Sequence, residues 1–98
     1  MSSASLGSVS KPASLLRERL LTTGRPKDGR VESIRTIKGK DGLYHAFVRV
    51  SWRDGEYLLT KRDTDEVKRY KSLSALEQRC RETYRFNGPI IVETDIGY

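Results

Sequence analysis

Apolar and polar positions alternate most clearly in the middle of the chain, over Tyr44–Trp52. Alternation with a period of two is typical of a half-buried β-strand. The Asp54-Gly55 pair that follows is a favoured two-residue hairpin turn. We therefore predict a β-hairpin in which Trp52 lies opposite Tyr57 on the face that enters the core.

A second hairpin is predicted immediately before it. Arg30–Lys38 is rich in β-branched residues, and the Gly39-Lys40-Asp41-Gly42 segment that follows has the composition of a turn. Val31, Ile34 and Ile37 are three residues apart, so a short helix competes with a strand that contains a bulge. We favour the bulged strand.

Two helices are expected on either side of these strands. Within Ala13–Leu21, Leu16 and Leu20 stand four apart, which predicts a short amphipathic helix with Glu18 on its solvent side. Ser74-Ala75-Leu76-Glu77 matches a capping box and predicts the start of the second helix. The buried stripe of that helix is expected to comprise Leu73, Leu76, Cys80 and Tyr84.

The remaining segments complete the predicted architecture. Glu66–Lys71 is expected to add a last short strand to the meander, and Ile90–Thr94 an edge strand. Met1–Lys11 has the small, polar composition of a flexible leader, which leaves residues 12–98 as one domain. The prediction is an α+β fold in which a three- or four-stranded antiparallel meander packs against two helices, in the order α-β-β-β-(β)-α-β.

Composition narrows the classes of function. The 98 residues include 19 Lys+Arg and 13 Asp+Glu, and the resulting net charge of +6 favours a polyanionic partner. The apolar runs are far shorter than the roughly 20 residues of a membrane-spanning helix, and no secretory signal is recognisable. A single cysteine, Cys80, cannot form an intramolecular disulfide. We therefore expect a cytoplasmic protein.

The sequence offers little for catalysis. The one histidine, His45, is predicted on a strand, and the one cysteine, Cys80, on the inner side of a helix. No glycine-rich phosphate-binding motif is present. The acidic residues Asp63, Asp65 and Glu66 have basic neighbours and are interpreted as a solvated turn. We expect a non-catalytic protein with no metal site and no cofactor.

Basic residues cluster where nucleic acid could bind. They are predicted at a hairpin tip, at the end of a strand and before the second helix: Lys38, Lys40, Lys61, Arg62, Lys68, Arg69 and Lys71. The outward face of the predicted sheet carries Phe47, Arg49, Arg53 and Arg62. Guanidinium groups form bidentate hydrogen bonds with phosphate or guanine, and Phe47 can stack on a base.

The order helix, three strands, helix resembles the layout of double-stranded RNA-binding domains. Glu18, Gly42-Leu43-Tyr44-His45 and Lys68-Arg69-Tyr70-Lys71 are the positions similar to the contact residues of that family. Leu43 stands where the family has proline. The resemblance implies binding to the minor grooves and phosphates of duplex RNA.

A second resemblance covers Tyr44 to Tyr84. The segments Phe47–Gly55 and Tyr70–Leu76 are similar to the arm-binding domains of tyrosine integrases and to plant AP2-type domains. These families lay a three-stranded sheet in the major groove of DNA. The resemblance implies that Arg49, Arg53 and Arg62 contact DNA.

Together these observations predict a non-catalytic nucleic-acid-binding protein, with DNA slightly favoured over RNA, as an accessory or regulatory factor. The alternative is a small protein-protein interaction adaptor that uses the C-terminal strand and the exposed sheet face. A homodimer through residues 90–94 is left open.

Overall fold

The chain builds one mixed β-sheet and one α-helix within residues 14–93, which are the residues that the computed structural model describes. The predicted leader, residues 1–11, lies outside them. In chain order the elements are β1 (Ser14–Arg17), a 3-10 helix (Glu18–Leu21), β2 (Val31–Lys38), β3 (Tyr44–Val50), β4 (Arg53–Thr60), β5 (Arg69–Tyr70), α1 (Leu73–Glu82) and β6 (Ile90–Glu93).

The sheet has six strands in the order β1-β4-β3-β2-β6, and β5 pairs with β3 beyond the end of β4. The pairs among β2, β3 and β4 are antiparallel, whereas β1 is parallel to β4 and β6 is parallel to β2. The fold is α+β, but the predicted antiparallel meander of three or four strands with two helices is wrong. The described residues contain one α-helix and a six-stranded mixed sheet.

The predicted first helix is the largest error. The part of Ala13–Leu21 that the structure describes forms β1 and the 3-10 helix. Isolated helices this short are marginal in water, so tertiary partners decide the conformation. Strand β4 offers a free edge, and pairing Leu16 with Leu59 there buries both side chains. Glu18, predicted to face solvent, is buried as well.

The register of the central hairpin also differs from the prediction. Val48 lies opposite Tyr57, and the turn falls at Ser51-Trp52, so Trp52 does not pair with Tyr57. Gly55 lies inside β4 with a φ of 95°, where the register shifts. Glycine is the usual residue for such a conformation in a bulge, so the Asp54-Gly55 pair serves an irregular strand instead of the turn.

The first hairpin is confirmed. Strand β2 contains the predicted irregularity, because its register with β3 shifts between Val31 and Ser33. The turn is closed by the amide of Gly39, which donates to the carbonyl of Leu43 at 2.7 Å, and Gly42 adopts a φ of 82°.

Helix α1 is confirmed, with a different cap. The hydroxyl of Ser72, and not that of Ser74, accepts a hydrogen bond from the amide of Ala75 at 3.1 Å. Its buried residues and the Tyr84 that follows pack on one face of the sheet, here called the helix face. The core on that side comprises Leu16, Leu21, Val31, Ile34, Ala46, Val48, Val50, Leu59, Tyr70, Leu76, Cys80, Tyr84 and Phe86. Leu73, predicted in the stripe, is partly exposed.

Candidate nucleic-acid interface

The pairing of β5 with β3 brings two of the predicted basic clusters together. Tyr70 lies opposite Tyr44, and Tyr44 in turn lies opposite Lys38. Arg69 Nε reaches Asp41 Oδ2 in the hairpin turn at 3.2 Å. The tip of the β2–β3 hairpin therefore adjoins the residues that lead into α1. The third cluster, Lys61 and Arg62, follows the end of β4. Because β4 is antiparallel to β3, it ends beside the start of β3, at the same end of the sheet. We call this region the basic end; its predicted residues are Lys38, Lys40, Lys61, Arg62, Lys68, Arg69 and Lys71.

Carboxylates neutralise part of the basic end. Lys61 pairs with Glu66 at 3.2 Å, and Arg69 pairs with Asp41. Longer contacts of 3.8 and 3.9 Å join Arg62 to Asp63 and Lys68 to Glu18. The exposed pairs among these contribute little to stability and are easily exchanged for other anions.

Three lysines of the basic end are not neutralised in this way. Within residues 14–93, Lys38, Lys40 and Lys71 have no carboxylate within 4.0 Å. Lys38 lies over the Tyr44 ring, 5.9 Å from its centroid. Lys71 immediately precedes the N-cap of α1, whose first turn carries no acidic residue. The positive end of the helix dipole thus adds to the field of the lysines.

The opposite, outer face of the sheet has a different character. One row of side chains crosses five strands: Leu15, Leu58, Phe47, Arg35 and Ile91. The Arg35 guanidinium lies 4.5 Å from the centroid of the Phe47 ring. One side of the ring predicted to stack on a base is thus occupied by a cation from the protein itself.

Carboxylates neutralise the centre of this outer face. Arg35 donates two hydrogen bonds to Glu56, at 2.7 and 3.0 Å, and one to Glu93 at 2.8 Å. These bonds raise the pKa of Arg35 and lower that of Glu56, and the charge of Arg49 lowers the latter further. Arg49 is exposed, and among residues 14–93 it has no carboxylate within 4.0 Å, so it interacts with Glu56 only at longer range. Arg35 did not emerge from the sequence, because its strand was recognisable but its three partners come from β3, β4 and β6.

Arg53 and Arg62, the other predicted sheet-face residues, lie apart from Phe47. Arg53 begins β4 opposite Val50, at the end of the sheet remote from the basic end, and lies over the Tyr57 ring at 5.8 Å. Arg62 belongs to the loop after β4 and donates to the hydroxyl of Thr23 at 3.2 Å. The four predicted face residues therefore do not form one surface.

A buried polar network ties the N-terminal segment to α1. The carboxylate of Glu18, only 4% exposed, accepts hydrogen bonds from the Tyr84 hydroxyl at 2.5 Å and from Arg79 Nε at 3.0 Å. The Tyr70 and Tyr84 hydroxyls are 2.6 Å apart. Glu18 is thus held inside the protein, and the role in RNA contact that the first resemblance implied has no exposed carboxylate to perform it.

The histidine and the cysteine considered for catalysis lie on different elements, His45 on β3 and Cys80 on α1. Burial raises the pKa of the Cys80 thiol to about 11, so it is protonated near neutral pH. His45 Nε2 is buried and has no hydrogen-bond partner among the described residues. Residues 14–93 contain no group of three or more His, Cys, Asp or Glu side chains arranged to hold a metal ion.

The length and hydropathy of the helices within residues 14–93 rule out a membrane crossing by any of them. Comparison of the chain with models of protein families, with curated proteins and with solved structures finds no match. The two resemblances seen in the sequence therefore stay predictions.

Proposed function

We propose that this protein binds nucleic acid without catalysis, through the phosphate backbone and by way of its basic end, with duplex DNA as the first ligand to test. The observation that carries the proposal is the gathering of Lys38, Lys40 and Lys71 beside the N-terminus of α1 by the β3–β5 pairing. Lysines without carboxylate partners, next to a helix N-terminus, suit phosphate oxygens.

The charge of the outer face favours the basic end over the sheet face as the contact surface. On the outer face Arg35 is already bound by Glu56 and Glu93, and displacing them would leave two carboxylates beside the phosphates. At the basic end, Lys38, Lys40 and Lys71 have no carboxylate within 4.0 Å among residues 14–93, so phosphate displaces none from them. The proposal therefore differs from a mode in which the sheet face enters a groove.

Two matched double variants test the proposal by fluorescence anisotropy of labelled duplex DNA, duplex RNA and single strands at several salt concentrations. Lys40→Gln/Lys71→Gln and Arg49→Gln/Arg53→Gln each remove two positive charges. Binding to duplex DNA should weaken with salt, and its log-log slope should be about 1.8 less steep in the lysine variant, at about 0.9 per lost phosphate contact.

The arginine variant should bind like the natural protein, apart from a small uniform loss. If it loses binding and the lysine variant does not, the contact surface is the sheet face. Equal losses in both variants would indicate attraction by net charge alone. No binding to any polymer at low salt would overturn the proposed function.

A second candidate function, a protein-protein interaction adaptor, is favoured by the edge strand β6. Its outer edge has no partner strand among the described residues, and Ile91 and Val92 are 53% and 42% exposed. Val92 also lines a groove of about 230 Å³ with Leu73, Leu76 and Ile90. An apolar edge of this kind is suited to strand addition by a partner or by a second copy.

The adaptor candidate is tested by analytical ultracentrifugation over a range of protein concentrations. Ile91→Lys should abolish self-association through β6, and Leu15→Lys, at the opposite edge of the same row, is the matched control. A protein that stays monomeric at all concentrations excludes the homodimer. Equal effects of both variants would place the contact elsewhere.

A further inference from the structure

A polar cleft of about 600 Å³ is lined by residues of neither the basic end nor the outer face, although Arg62 of the basic end donates to its Thr23 at 3.2 Å. It is formed by the segment after the 3-10 helix and by the C-terminal end of α1. Its polar lining comprises Thr22, Thr23, Arg25, Lys27, Glu82, Thr83 and Arg85. We call it the threonine-arginine cleft. Its volume is in the range of sites for small molecules.

Positive charge in this cleft exceeds negative charge. Arg25, Lys27 and Arg85 line it with one carboxylate, Glu82, which gives a net charge of +2. Within residues 14–93, none of the three basic side chains has a carboxylate within 4.0 Å. Glu82 instead accepts hydrogen bonds from Gln78 at 3.4 Å. An excess of two positive charges complements a ligand that carries at least two negative charges.

The position of Arg25 is set by the backbone. Its guanidinium donates to the carbonyl of Leu21, at 3.0 and 3.2 Å, and to the carbonyl of Tyr84. These bonds cover one carbonyl at the end of the 3-10 helix and one just after α1, both of which would otherwise repel an anion. Burial and the charge of Arg85 lower the pKa of Arg25, so the two positive charges that line this cleft act on each other.

Arg85 occupies a backbone position that usually belongs to glycine. Its φ is 56°, and the amide of the next residue, Phe86, donates to the carbonyl of Cys80 at 2.9 Å, which closes the turn after α1. A side chain at this position is strained, and glycine would relieve the strain. Backbone strain of this kind clusters at functional sites, so the conformation of Arg85 points to a role for its side chain.

We propose that the threonine-arginine cleft binds the phosphate groups of a small diphosphate ligand, with Arg25, Lys27 and Arg85 as the charged donors. The hydroxyls of Thr23 and Thr83 provide further donors around the same space, whereas the hydroxyl of Thr22 already donates to the carbonyl of Arg19 at 3.2 Å. The planar guanidinium of Arg85 can match phosphate oxygens in pairs, whereas Arg25, whose Nε and Nη2 donate to backbone carbonyls, offers its Nη1. The same phosphate chemistry is found in a nucleic-acid strand, which the experiment distinguishes from a small ligand. The proposal does not depend on the basic end.

The test measures thermal unfolding and calorimetric binding of the full chain with sodium pyrophosphate, against sodium sulfate at equal ionic strength. Pyrophosphate should raise the melting temperature of the natural protein more than sulfate does, because a ligand that binds the folded state stabilises it. Arg85→Gly should melt at a higher temperature without ligand, yet bind pyrophosphate at least tenfold more weakly. Arg85→Asn, which also tolerates this backbone conformation, should behave similarly.

The control variant Arg53→Gln removes one charge far from the cleft and should keep the full response to pyrophosphate. The proposal is overturned if pyrophosphate has no effect beyond that of sulfate on the natural protein, or if Arg85→Gly binds it equally well. If Arg85→Gly weakens binding to duplex DNA while pyrophosphate does not bind at all, the cleft serves a nucleic-acid strand and the small-ligand proposal is wrong.

Discussion

Replacing Glu18 with alanine should weaken the link between the N-terminal segment and α1. The buried carboxylate accepts a hydrogen bond from the Tyr84 hydroxyl at 2.5 Å. Its Oε2 also lies 3.0 Å from Arg79 Nε and 2.9 Å from Arg79 Nη2. A hydrogen bond to a buried charge contributes about 1.5–3 kcal/mol, and the partly exposed pair with Arg79 adds less than about 1 kcal/mol. Tyr70 still holds the Tyr84 hydroxyl at 2.6 Å, which limits the loss. We expect Glu18→Ala to lower the free energy of unfolding by about 3 kcal/mol.

Urea unfolding at pH 7, followed by circular dichroism, measures this loss. At about 4–8 °C per kcal/mol for a domain of this size, the melting temperature should fall by more than about 10 °C. Arg17→Ala is the control, because the neighbouring ion pair of Arg17 with Asp65 is exposed and should be worth less than about 1 kcal/mol. A double-mutant cycle of Glu18→Ala with Tyr84→Phe isolates their coupling. A loss below about 1 kcal/mol for Glu18→Ala would refute the reasoning.

Three further predictions follow from burial in the core. Burial raises the pKa of both Tyr70 and Tyr84, so the unfolded chain releases their protons at a lower pH than the folded protein does. The free energy of unfolding should therefore be unaffected by these groups below pH ~10. Above that pH it should fall by up to about 1.4 kcal/mol per pH unit for each tyrosine. Urea unfolding between pH 9 and 11 would show this, and a flat profile would contradict it. Gly29→Ala should lower the free energy of unfolding by about 1–3 kcal/mol, because the added Cβ would lie 2.5 Å from the Trp52 ring. If thermal unfolding shows no change, the ring moves freely out of the way. Cys80, with a pKa of about 11, should react with a thiol reagent only as fast as the protein opens, which rapid labelling of the folded state would disprove.

Much of the local structure could be predicted from the sequence. The bulged β2, the glycine turn after it, the helix from Leu73 and the edge strand near Ile90 all follow from patterns within a few residues. These patterns succeed because turn glycines, alternation and helical spacing act over short distances. The prediction that bases cluster around the hairpin tip and before α1 rests on the same local evidence.

The parts that failed depend on partners far along the chain. Whether Leu16 enters a helix or a strand is decided by the free edge of β4, and the role of Gly55 by the register of β4 against β3. Both outcomes require knowledge of which strands are neighbours. A short amphipathic pattern is compatible with either conformation, so long-range pairing chooses between them.

The candidate sites show the same division. The sequence alone determined the excess of positive charge and the positions of the basic residues along the chain. The tertiary structure decided that Lys38, Lys40 and Lys71 gather at one end, that Arg35 is neutralised on the outer face, and that Arg25 and Arg85 line one cleft. Electrostatic interactions depend on distance in space, and the β3–β5 pairing and the turn after α1 set those distances in ways that no local pattern records.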